Sequence, residues 1–116
     1  MAGMKLRDYL KVPYILEAQG IEIGPDRWLR KLSYPELGDF SAEAEIVEVA
    51  LAELERMRIR AIVANLREGK LPPQPRAPLR SADPEWLAGE LGILSEIKDL
   101  LDKTADEIGA DGGAGS

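Results

Sequence analysis

No glycine or proline stands between Gly38 and Gly69, in a chain of 116 residues that holds 11 glycines and 8 prolines. The second part of that window is rich in Ala, Leu, Glu and Arg, so the sequence predicts a helix over Ile46–Glu68. Gly69 is a good residue to end it, because glycine adopts the left-handed conformation that closes helices. At 100° per residue, Val47, Ala50, Leu51, Leu54 and Met57 share one stripe, as expected for a helix lying on a sheet. Ile59, Ile62, Val63 and Leu66 lie on a face rotated by roughly a third of a turn. Arg58 and Asn65 fall near the centre of the first stripe instead. One sheet cannot bury both faces, so a C-terminal helix or another subunit is expected to cover the second.

The residues before the helix alternate in the manner of strands. Tyr14–Ile23 reads as a first strand with a bend or bulge at Gly20, and Gly24-Pro25-Asp26-Arg27 as a turn. Trp28–Tyr34 reads as a second strand, with Trp28, Arg30, Leu32 and Tyr34 on one face. After a turn at Pro35–Asp39 comes a third strand, Phe40–Glu45. Its Phe40, Ala42 and Ala44 point inward, and its Ser41, Glu43 and Glu45 outward. Three strands joined by short turns make an antiparallel meander. The fold class expected is α+β: a three-stranded antiparallel meander packed by one long helix, plus a C-terminal amphipathic helix. Residues 1–70 form the α+β domain, with residues 1–11 as a poorly ordered lead or a helical turn.

Residues 71–80 hold four prolines in ten positions and read as an extended linker. Asp83 and Pro84 then mark a helix start, aspartate as N-cap and proline at the first helical position. Leu87, Leu94, Leu101 and Ile108 follow at intervals of seven, so one acidic amphipathic helix is expected over residues 81–108, followed by a flexible tail at 109–116. Charge is unevenly placed: residues 1–80 are net +1 and residues 81–116 net −7. The acidic segment suits a basic protein partner better than nucleic acid, whose phosphates require Lys and Arg. A partner or oligomer interface is expected on Ile59, Ile62, Val63 and Leu66 and on Trp86, Leu87, Leu94, Ile97 and Leu101. Trp86 is the candidate hot spot.

Chemistry has few carriers here. The chain has no histidine and no cysteine. That removes the commonest general base, Cys-His and Ser-His-Asp mechanisms and thiolate metal sites. The lack of cysteine also fits a reducing, cytoplasmic setting. Asp39, Glu43, Glu45 and Glu48 are the best candidates for a carboxylate metal site, but a half-exposed strand gives the same alternation without any site. Arg56, Arg58, Arg60 and Arg67 are interleaved with glutamates and read as an ion-paired face. No enzyme, cofactor, metal or membrane span is expected.

Asp8-Tyr9-Leu10-Lys11-Val12-Pro13-Tyr14 resembles the opening of HicB-like antitoxins, and Tyr34-Pro35-Glu36-Leu37 is similar to their turn. Ala50-Leu51, the long helix, Gly69 and Leu71-Pro72-Pro73 continue the match, which covers residues 5–78. Gly38-Asp39-Phe40 stands where the family has Pro-Gly-Cys. Ala44-Glu45-Ile46 stands where it has Gly-Asp-Thr, a lost helix cap worth about 1 kcal/mol. The resemblance implies a partial RNase H-like, HicB-type domain that often oligomerises and that neutralises a small basic RNA-cleaving toxin of the HicA type. Many members add a C-terminal DNA-binding element. The single acidic helix expected here argues against direct operator binding and leaves a second reading, a structural subunit that docks into a larger complex or homo-oligomer.

Overall fold

The computed structural model describes residues 3–114. Three antiparallel strands, β1 (Glu17–Gly24), β2 (Arg27–Ser33) and β3 (Ser41–Ala44), form a sheet in the order β1-β2-β3. A long helix, α2 (Val47–Arg67), packs on it, so the α+β meander with one long helix is present. Asp26, at φ 58°, takes the left-handed position in the β1–β2 turn. Gly20 does not bend β1: pairing runs unbroken from Glu17↔Ser33 to Glu22↔Trp28, and the irregularity falls between Glu22 and Gly24. The strand also starts later than expected, because the Ile15 N–H donates 2.7 Å to the Glu36 carboxylate instead of to a neighbouring strand.

Helix α2 begins without a side-chain cap at Ile46 and ends where Gly69, at φ 78°, lets the chain turn back. There Lys70 N–H donates 2.8 Å to the Asn65 carbonyl. Ala50 and Leu54 are buried against Leu32, Tyr34 and Ala42, as the first stripe requires. Val47 and Leu51 are not buried. The helix packs mainly on β2 and β3, and β1 stays largely exposed.

The second face of α2 is covered within the chain. Ile59, Ile62, Val63 and Leu66 are buried in a larger cluster with Leu6, Tyr9 and Leu10 from the N-terminus and Leu91, Ile93, Ile97, Leu101 and Ile108 from the C-terminus. Of the two covers expected for that face, the C-terminal segment is the one found. The N-terminal lead is therefore core, not a loose end: α1 (Leu6–Tyr9) is a single turn. Leu6 and Arg7 donate their N–H groups, each 2.9 Å, to the carbonyls of Lys103 and Leu101.

The C-terminal segment is not one helix. It forms α3 (Pro84–Glu90), α4 (Leu94–Ile97), a 3-10 turn (Lys98–Leu100) and α5 (Ala105–Ala114). Gly92, at φ 75°, ends α3, with Ile93 N–H returning 3.0 Å to the Ala88 carbonyl. A straight helix over the expected residues 81–108 would be about 42 Å long and could touch α2 along one line only. The breaks let the segment wrap, which buries Leu91, Ile93, Ile97, Leu100, Leu101 and Ile108 together. The expected flexible tail is helical as far as Ala114, and its last two residues lie outside the described residues.

The proline-rich stretch is likewise a strap, not a free spacer. Pro73 O accepts from the Tyr14 hydroxyl at 2.6 Å, Arg76 pairs with Glu36 at 2.8 Å, and Leu79 N–H donates 2.9 Å to Lys11 O. Among the described residues no helix is long and apolar enough to cross a membrane.

Candidate functional site

The nine residues expected at an interface divide by burial. Ile59, Ile62, Val63, Leu66, Ile97 and Leu101 do come together, buried in one cluster inside the chain, with Val63 and Ile97 also at the floor of a surface hollow beside Arg60 and Glu96. Leu87 and Leu94 are half-buried against the same cluster. Trp86 alone is open, 63 % exposed.

Helix α3 explains this division. Asp83 caps it, accepting from Trp86 N–H at 3.1 Å, and Pro84 occupies the first turn. Pro84 and Ala88, four residues apart, face inward and are buried, which turns Trp86 and Glu90, also four apart, to the other side. Trp86 stands between two hollows. On one side it rims a cleft of about 370 Å³ with Val12, Leu79, Pro84 and Leu87, and Tyr34, Glu55 and Arg58 also line it. On the other it shares a shallower depression with Arg7, Asp83, Glu85, Glu90 and Leu94. That depression holds three carboxylates and one guanidinium, a net charge of −2, around an exposed indole. An indole face beside carboxylates attracts a cation twice over, through its quadrupole and through charge.

The cleft's polar groups are engaged with one another. Arg58, only 7 % exposed, donates 2.8 Å from Nε to Glu55 and 3.1 Å from Nη1 to Leu10 O. The Tyr34 hydroxyl donates to the other Glu55 oxygen. Burial first, then the bond to Glu55, pushes the Tyr34 phenol far above its ordinary range, so it stays protonated as a donor. The Tyr14 ring packs tilted against Tyr34 with centroids 6.2 Å apart. This network accounts for the arginine at the centre of an apolar stripe: a buried charge persists when paired and hydrogen-bonded.

Much of the acidic C-terminal segment is likewise spent inside the chain. Arg7 bonds both Glu85 and Asp102, and Arg60 bonds Glu96 through two contacts of 2.7 and 3.0 Å. Hydrogen bonds from arginine hold the Glu96 and Asp102 carboxyls below their ordinary values. Arg56 donates 2.8 Å to Leu91 O. Two arginines of the strip, Arg56 and Arg60, thus seat the C-terminal segment. The best metal candidates are not gathered: Glu45 is held at both oxygens by Arg27, at 2.9 and 2.8 Å. Among the described residues no three acidic side chains converge as a metal cluster.

Sequence reasoning found Trp86 and its cap but missed both hollows, because their walls come from positions 7–14, 34, 55–58 and 79–94. The one local signal for the cleft was Arg58, a charge where the helical period requires an apolar residue. No protein-family model, curated protein or solved structure matches this chain.

Proposed function

We propose that this chain is an antitoxin-type protein of the HicB-like kind, which works by holding a small basic partner, a HicA-like RNA-cleaving toxin, and not by chemistry of its own. The resemblance over residues 5–78 supports the family reading, including a partial RNase H-like ancestry for the meander and long helix. One observation supports the binding mode: a largely exposed tryptophan set among carboxylates on the outer face of α3. Aromatic anchors in such settings dominate interface energetics, and truncating one costs on the order of 2 kcal/mol or more of binding. A lysine or arginine of the partner would lie over the Trp86 ring and meet Glu90.

The function is tested by affinity capture from the source organism with the tagged full chain, followed by ribonuclease assays on what is retained. The expected result is a small basic protein whose RNA cleavage the chain suppresses stoichiometrically. Trp86→Ala and Glu90→Lys should each weaken capture while leaving the fold unchanged. Retention of no basic protein, or full suppression by Trp86→Ala, contradicts the reading.

A further inference from the structure

The hairpin of β1 and β2 carries a second surface, unrelated to Trp86. β1 pairs with β2 alone, so its outer edge presents unpaired backbone groups over eight residues. Proteins ordinarily blunt such edges with lysine, proline or a bulge. β1 has no lysine, arginine or proline, and its irregularity comes only at its end, after Glu22. The other edge strand, β3, is half as long, at four residues. The hairpin is also poorly covered. Every residue of β1 is exposed or half-exposed, and Ile15, Leu16, Ile23 and Trp28 all show apolar surface.

Gly20 lies at the middle of β1. Its φ is not in the left-handed region, so the backbone does not demand glycine there. What occupies the space is the Trp28 ring: a Cβ at Gly20 would lie 3.5 Å from it, with Arg30 Nη1 at 3.9 Å. The indole therefore lies over the edge strand and is open on its far side.

We propose that two copies of this chain pair β1 with β1, antiparallel about Gly20, into a continuous six-stranded sheet. Opposed residues in an antiparallel pair share a face, so a two-fold axis through Gly20 sets Ala18 against the partner's Glu22 and Gln19 against the partner's Ile21. No acid faces an acid in this register. The two glycines at the axis leave the face above them free of side chains, and the two Trp28 rings close over it from either side. Each copy brings one Arg30 and one Glu22 to that face, so its charges balance. The free edges of the dimer are the two short β3 strands. A basic partner suits this edge less well, since its apolar residues outnumber its acids.

Light scattering across a wide concentration range tests this on the full chain. The mass should rise from one chain to two and stop there. Gly20→Lys, whose Cβ meets only ordinary contacts, should keep the monomer's circular dichroism and weaken the dimer at least tenfold. Ala18→Lys, opposite the partner's Glu22, should tighten it. The chain has no cysteine, so Gly20→Cys should cross-link on mild oxidation while Glu43→Cys on β3 does not. A one-chain mass at every concentration overturns the proposal. So does a dimer that survives Gly20→Lys, or one in which Glu43→Cys links as readily as Gly20→Cys.

Discussion

Replacing Arg58 by methionine probes the polar network beneath the cleft. The substitution keeps roughly the volume of the side chain and removes its charge. It leaves the Glu55 carboxylate with the Tyr34 hydroxyl alone and takes the donor from Leu10 O. Breaking a buried ion pair by deleting one partner costs about 3–5 kcal/mol. The Glu55 side chain is 16 % exposed and regains some water, which points to the lower end, about 3 kcal/mol. Domains of this kind are stable by roughly 5–15 kcal/mol, so the loss is a large share of the whole. With a urea m value of about 1–3 kcal/mol per M, the midpoint should fall by about 1–3 M. Tyr34→Phe, Glu55→Leu and Arg58→Met together should cost no more than Arg58→Met alone, since no charge is left stranded. A cost under about 0.5 kcal/mol for Arg58→Met, as for a surface change, would show that Arg58 and Glu55 are not a buried pair.

Two other predictions separate core from surface and fix the acid limb of stability. Leu101→Ala should cost about 2–5 kcal/mol in chemical denaturation, while Trp86→Ala stays within about 0.5 kcal/mol. Equal costs would show that α3 and the wrapping segment are packed otherwise. The carboxyls of Glu36, Glu45, Glu96 and Asp102 are all held below their ordinary values, first by hydrogen bonds from Arg76, Arg27, Arg60 and Arg7. A depressed folded-state value adds stability above the ordinary value and loses it as pH falls through the depressed one. Stability should therefore be flat at neutral pH and begin to fall near 4.5 for the glutamates and 3.8 for the aspartate. Arg60→Gln should shrink that acid-dependent part in pH titrations of unfolding, and an unchanged profile would contradict the pairing.

The strands, the long helix and its two apolar faces were legible because their signals are local and periodic. Alternation marks Phe40–Ala44, and the rotated cluster at Ile59–Leu66 announces a second cover. Long-range matters were not legible. Leu6 reads as one apolar residue in a charged lead, and only its packing against α2 and the C-terminal segment makes it core. Gly92 falls within the helical spacing, where a glycine costs up to about 1 kcal/mol relative to alanine. Its left-handed φ makes it the terminator that lets α4 and α5 wrap. Val47 and Leu51 have the right period, yet both stay exposed while Ala50 and Leu54 between and beyond them are buried. At the candidate site, Trp86 was visible in the sequence. Its distant neighbour Arg7 was not, since Arg7 reaches Glu85 and Asp102 only after the termini join. The same folding consumes acidic charge that the sequence offered wholly to a partner.

Residues 81–110 are one half of the core, not an appendage. Native-state hydrogen exchange on the full chain tests this most directly. The amides of Leu6, Ile62, Leu66, Leu101 and Ile108 should exchange through one common opening, with the free energy of global unfolding. Amides of the C-terminal segment that open far more easily than those of α2, as a separate unit, would contradict the account.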